Sequence, residues 1–248
     1  MCRPASFVVT KDRVYWSKSR DSHEDIIREN DLKESNIRSE IQFVRVEICP
    51  PDGDFRKPLD EWNYHTDQDL LPDWYVESEE EKRVRDILPE WLKAKVVLAE
   101  QTVTEIRKPM VAIYGTVESI RGGTVEYIDG GTVKYIDGGT VKSIRGGTVE
   151  YIDGGTVEYI RGGTVESIHG GTVEYIGGGT VKSIHGGTVK SIDGGTVEYI
   201  RGQFPSRVTG NATIINYGSL TPDILKSSKA VMIDRSQDTV VCYVGKDI

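Results

Sequence analysis

Eleven copies of one octapeptide, G-G-T-V-[EK]-[YS]-I-x, run from Gly115 to Arg201, the first with Tyr114 in place of its leading glycine. Nothing else in the chain constrains the fold as strongly. Paired glycines every eight residues exclude a helical array, because glycine is a poor helix former. The Thr, Val, Tyr and Ile between them favour extended backbone, and the glycines supply corners where φ is positive. A five-residue strand and a three-residue corner, wound repeatedly, make a β-solenoid. Each strand then pairs with its copy one coil away, at about 4.8 Å.

The number of units per coil follows from which variable positions correlate. Position six reads Ser119, Tyr127, Tyr135, Ser143, Tyr151, Tyr159, Ser167, Tyr175, Ser183, Ser191, Tyr199. Seven of eight pairs are identical three units apart, and only three of nine are identical two units apart. If position six fills the core, two rings and one small residue per layer conserve volume, which favours a three-sided coil of 24 residues. Position five points elsewhere. Counted for opposite charge, it scores seven of nine pairs two units apart and five of eight pairs three units apart. Core volume is the harder constraint, so the three-sided coil is the expectation and the two-sided coil the alternative. Val at position four and Ile at position seven differ in parity and cannot both point inward from a flat strand. A bend before Ile is expected, and it leaves open whether Tyr faces in or out.

Solenoid ends expose unpaired backbone and need caps. "EQTVTEIRKPMVAIYG" reads as a degenerate first coil. After Arg201 the frame dissolves, and "TPDILKSS" (a short helix with Pro222 at its start) and "AVMIDRSQDTVVCYVG" (a hairpin) read as a second cap. Three regions result: an α+β domain over 1–100, the solenoid over 101–201 and a capping segment over 202–248.

In the first region, "SFVVTKDRVYWSK" reads as a hairpin around Lys11-Asp12, Ser22 caps a helix, and "FVRVEI" is a strand ended by Pro50. The stretch 51–75 reads as loop. A helix begins near Ser78, with Pro89 expected to kink or split it. Trp62, Trp74 and Trp91 are the expected core anchors. The net charge is −8, and the acidic excess lies in the first hundred residues. No basic stripe is available to neutralise phosphates, so direct nucleic-acid binding is not expected. No apolar run is long enough to span a membrane. Cys2, Cys49 and Cys242 are odd in number and far apart, which points to no disulfide framework, no zinc site and a reducing compartment.

Three features of the first region could carry chemistry. Cys2 would be an N-terminal nucleophile if Met1 were removed, and the opening "MC" resembles N-terminal-cysteine amidotransferases and abasic-site-crosslinking proteins of the SRAP class. Arg3-Pro4 stands where both families place Gly. His65, Asp67 and Asp69 alternate as oxygen and nitrogen donors for a divalent cation would. His23-Glu24 opens a helix. Against each stands a plainer reading: a strand start, a solvated acidic loop, and charges that complement a helix dipole. No metal or cofactor is expected, and no catalytic residue is assigned.

"GGTVEYIDGGTVKYI" and the opening "MCRPASFVVTKDRVYWSKSRDSHEDII" resemble octapeptide-array proteins encoded by bacteriophages of actinobacteria and other hosts. The resemblance implies a viral origin and a location in the host cytoplasm. The expected function is non-enzymatic: a structural or protein-interaction protein presenting a rigid repeat surface to a protein partner, possibly itself in a homo-oligomer. One alternative is an acidic mimic of nucleic acid. On the three-sided coil Glu126, Asp129, Glu150, Asp153, Glu174 and Glu198 share one face, a strip that a basic groove on a host protein would fit. The other is an enzyme with its chemistry around Cys2, His23 and His65.

Overall fold

A computed structural model describes residues 4–246 apart from 20, 202–204, 206, 218–221, 228 and 236–239. The chain divides into two compact units, residues 1–96 and 97–248. The Cys2 and Thr221 readings lie outside the described residues.

The first unit is built on β1 (Ala5–Thr10), β2 (Val14–Tyr15), β3 (Phe43–Cys49) and β4 (Asn63–Thr66), with helices α1 (His23–Glu29) and α2 (Glu77–Lys95). The sheet is antiparallel in the order β2-β1-β3-β4. The hairpin forms around Lys11-Asp12 as expected. Strand β4 falls in the stretch read as loop. Its residues alternate between exposed and half-buried, which left no hydrophobic period to detect. Side chains of successive strand residues point to opposite faces, and the two helices use this. Val8 and Phe43 meet Ile26 and Ile27 of α1, while Phe7 meets Trp91 of α2. Ser22 caps α1, its Oγ accepting the Asp25 N–H at 3.2 Å. Helix α2 runs through Pro89 without being split, supported by acidic residues in its first turn and lysines in its last. Trp62 and Trp91 are buried against Phe55, whereas Trp74 is only half-buried. Contrary to the reading of the cysteines, Cys49 is disulfide-bonded. Reducing compartments tend to open such bonds, so the cystine does not fit that expectation.

The second unit is the β-solenoid. Its strands are β5 (Val96–Val97), β6 (Thr102–Ile106), β7 (Met110–Ile113), β8 (Thr116–Ile120), β9 (Thr124–Ile136), β10 (Thr140–Ile152), β11 (Thr156–Ile160), β12 (Thr164–Ile168), β13 (Thr172–Ile176), β14 (Thr180–Ile184), β15 (Thr188–Ile192), β16 (Thr196–Ile200), β17 (Arg207–Val208), β18 (Thr213–Asn216), β19 (Val231–Asp234) and β20 (Val241–Val244). The register corrects the expected coil. Thr140 pairs Thr156, Thr156 pairs Thr172 and Thr164 pairs Thr180, all in parallel. Each coil is therefore two octapeptides, 16 residues, and not 24. The charged position had the right period. The Tyr/Ser position misled because it does not fill the core. Every repeat Val and Ile is buried, and tyrosines from Tyr127 to Tyr199 lie half-buried or exposed on the outside. The core is two Val and two Ile per coil, and the bend between positions four and seven turns Ile inward as expected.

The corners explain the glycines. The second glycine of each pair, from Gly123 to Gly195, has φ between 63° and 75°, a region that costs any residue with a Cβ. A Cβ there would also meet the preceding coil: at Gly171 it would lie 2.7 Å from the Gly154 carbonyl. That close approach lets the hydrogen-bond ladder continue through the corner. Asp137 and Gly138 donate their N–H groups to Ile120 O at 2.9 and 3.1 Å, and Thr140 donates to Gly123 O at 3.0 Å. Both ends are covered by irregular strands. Strands β6 and β7 pair β8 and β9, while β17 and β18 extend the two faces and β19 and β20 close the far end as an antiparallel pair.

Two predictions follow from this register. In a Cys242→Ser background, cysteines placed at Glu126 and Lys142 should be bridged by a short bis-thiol reagent in the folded chain and not in urea. The Glu126/Glu150 pair should not be bridged. The opposite pattern would restore the 24-residue coil. Secondly, Gly171→Ala should destabilise by about 1–3 kcal/mol or more, from left-handed backbone and inter-coil crowding. Gly177→Ala should stay within about 0.5–1 kcal/mol of wild type, since its Cβ would come no closer than 3.9 Å to Ile160 O and its φ is ordinary. Chemical denaturation of both variants tests the contrast.

Candidate functional site

The 16-residue period sorts the outward side chains into two sets of rows, one on each sheet. Position five alternates in sign along both. Lys142 pairs Glu126 at 2.7 Å, Lys190 pairs Glu174 at 2.6 Å and Lys182 pairs Glu166 at 2.8 Å, each one coil apart. Alternation fails only at Glu150–Glu166 and Glu158–Glu174, the contacts that coil 148–160 makes with the next. These exposed pairs are worth about 0–1 kcal/mol each. They set the character of the surface more than its stability.

The acidic strip expected from a three-sided coil does not form. Glu126, Asp129 and Glu174 belong to the strand row of β11, β13 and β15, and Glu150, Asp153 and Glu198 to that of β12, β14 and β16. Three of the six are neutralised by named partners: Glu126 by Lys142, Glu174 by Lys190, and Asp153 by His169, whose Nδ1 is 3.0 Å away. Charge pairing in the correct register therefore removes the feature on which mimicry rested.

What the surface carries instead is a ladder of rings. Tyr135 and Tyr151 stack with centroids 5.3 Å apart. The series continues through His169 (5.6 Å), His185 (5.5 Å), Tyr199 (5.4 Å) and Tyr217 (5.0 Å). Six rings thus run along one side of the solenoid. The histidines are not at position six, where those two units carry Ser167 and Ser183; they are at position eight. A ring from position eight occupies the slot that a small residue at position six leaves open. The other row behaves similarly: Ser143 leaves room for Arg145, whose guanidinium lies 3.8 Å above the Tyr127 ring, a cation–π contact. Farther along, Tyr159 and Tyr175 stack at 5.1 Å with more than a third of each exposed. This answers why position six is Tyr or Ser. It is one half of a shared surface slot, and neither histidine follows a tyrosine.

The long ladder begins at Tyr135 because Ser119 stands one coil before it. There Arg121 turns instead to Glu105 (2.9 Å) and Asp137 (3.3 Å), and Ser119 donates to Asp137 at 2.7 Å. A shallow cleft beside this first ring is lined by Glu105, Ser119, Arg121, Lys134 and Tyr135. His169 and His185, read from the sequence as unpartnered and on different rows, are neighbours in the ladder.

In the first unit, His65, Asp67 and Asp69 do not converge. Asp67 meets His23 and Glu47 instead. Glu24 is exposed and takes no part. Asp21, whose carboxyl burial pushes up to about 6, accepts the Ser6 N–H at 3.2 Å. Lys95 Nζ, fully buried, donates to Lys18 O at 3.2 Å. No helix among the described residues is long and apolar enough to cross a membrane. No family model, curated protein or solved structure matches the chain.

Proposed function

We propose that the chain is a non-enzymatic structural or protein-interaction protein whose solenoid holds a ring-lined, charge-laced surface rigid for a protein partner. The observation that supports this is the continuous ladder from Tyr135 to Tyr217. Inter-coil hydrogen bonds fix the ring spacing, so binding costs the ladder little additional ordering. Tyrosines of this kind, rigid and amphipathic, are enriched at protein interfaces. Ring faces within the ladder are covered by their neighbours, and a partner meets ring edges, hydroxyls and imidazole nitrogens. That arrangement suits the backbone and polar side chains of a protein better than bases or sugars, which need a free ring face to stack on. The resemblance of the array to phage proteins adds the proposal of a viral origin, with action inside the host.

Ser already occupies position six in five units, so Tyr→Ser changes there are compatible with the coil. Replacing Tyr135, Tyr151 and Tyr199 by Ser should leave the circular dichroism spectrum of strands unchanged. Affinity capture from the source cells, quantified by mass spectrometry, should show at least about a tenfold loss of the partner relative to wild type, as removal of interface hot spots does. Equal capture by the variant would place the working surface elsewhere. Substrate turnover abolished by Cys2→Ala, His23→Ala or His65→Ala in folded protein would make the first unit an enzyme.

A further inference from the structure

The first unit gathers three metal-ligating side chains from three segments that are far apart in sequence. His23 opens α1 and is 6% exposed. Glu47 lies on β3, opposite Ser6 of β1 and His65 of β4. Asp67 follows β4, placed by its N–H bond to Arg45 O at 2.9 Å. One ligand atom from each lies within 4.8 Å of the other two.

The proton count on His23 makes this more than proximity. Its Nε2 is 3.1 Å from Val46 O. A carbonyl oxygen only accepts, so Nε2 carries the hydrogen and donates it. In the neutral ring Nδ1 is then a bare lone pair, and it faces Asp67 Oδ2 at 3.4 Å. Two acceptors confront each other in a largely buried place, with the Glu47 carboxylate as a third. Among the described residues no hydrogen bond reaches Nδ1 or either carboxylate side chain. Burial raises the proton affinity of Glu47, and the charge of Asp67 raises it further, against the opposing influence of His23. The site is short of a cation.

An imidazole whose far N–H is held by a backbone carbonyl is how metal-ligating histidines are oriented. Zinc takes nitrogen and carboxylate oxygen at about 2.0–2.1 Å in a tetrahedron, whose edges are then about 3.4 Å. The Nδ1–Oδ2 separation matches that edge. We propose that His23 Nδ1, Glu47 and Asp67 bind a divalent transition-metal ion with the preferences of zinc, held by three protein ligands with a fourth position open. Asp67, with about half of its side chain exposed, can adjust its rotamer to close the remaining distance. The alternating His65-Asp67-Asp69 pattern contributes one ligand of the three.

The test uses the full chain and ZnCl2. Calorimetric titration should give one tight site per chain, and Co²⁺ in its place should give the visible absorption of a tetrahedral nitrogen–oxygen site. His23→Ala also removes the bond to Val46 and could disturb folding, so the isosteric changes Asp67→Asn and Glu47→Gln carry the result. Each should weaken zinc binding at least about tenfold while the zinc-free melting temperature stays near wild type. His65→Ala and Asp153→Asn should bind as wild type does. No binding, unchanged binding in both isosteric variants, or binding abolished by Cys242→Ser would overturn the assignment. So would an NMR titration in which His23 is an imidazolium whose resonances zinc does not move.

Discussion

The hydrogen-bond ladder between successive coils is the constraint on which the rest of the solenoid depends. Backbone must approach backbone closely at the corners as well as along the strands, or the N–H groups of three residues per corner lose their acceptors. Only glycine permits this at the second corner position, where φ is positive and a Cβ would overlap the preceding coil. Once the corners are fixed, the distance between coils is fixed, and every side chain meets its copy 16 residues away. The uniform Val and Ile core follows. With identical neighbours above and below, a layer that fits once fits throughout.

The outer surface obeys a looser rule, and for that reason it carries the information. Charge at position five need only avoid repeating, and positions six and eight need only fill one slot between them. Tyr with Asp, Ser with His and Ser with Arg all satisfy the slot. Each leaves a different group at the surface, so a fixed scaffold can present different rows. The ladder that passes from tyrosine to imidazole and back to tyrosine is the fullest use of this freedom. Its rings come from two positions of the repeat.

The first unit works on the opposite principle. No repeat sets its geometry, and its chemistry arises where distant segments meet. His23 is brought to Glu47 because α1 packs through Ile26 and Ile27 on the sheet face that carries Val8 and Phe43. Asp67 arrives because β4 adds to the edge of β3. A disulfide at Cys49 and a buried lysine on α2 are further products of contacts distant in sequence.

Much of the solenoid was legible in the residues. Gly-Gly spacing dictated corners, Thr-Val-x-x-Ile dictated strands, and the parity conflict between Val and Ile required the bend. These are local demands, imposed by φ, by Cβ and by which atoms can reach water. The sign alternation at position five even recorded the coil length, because stacked exposed charges feel their neighbours. The Tyr/Ser period suggested another length only under the assumption that position six is internal. That assumption concerns which way a side chain points after a bend, and no local property of a residue decides it. The same limit applied to the candidate sites. Six acidic residues separated into two rows, two histidines became ladder neighbours, and His23 met Glu47 and Asp67. Local chemistry determined what this chain is built from. Tertiary structure alone decided which groups face each other, because stacking period and helix docking are set by contacts between residues that the sequence keeps apart.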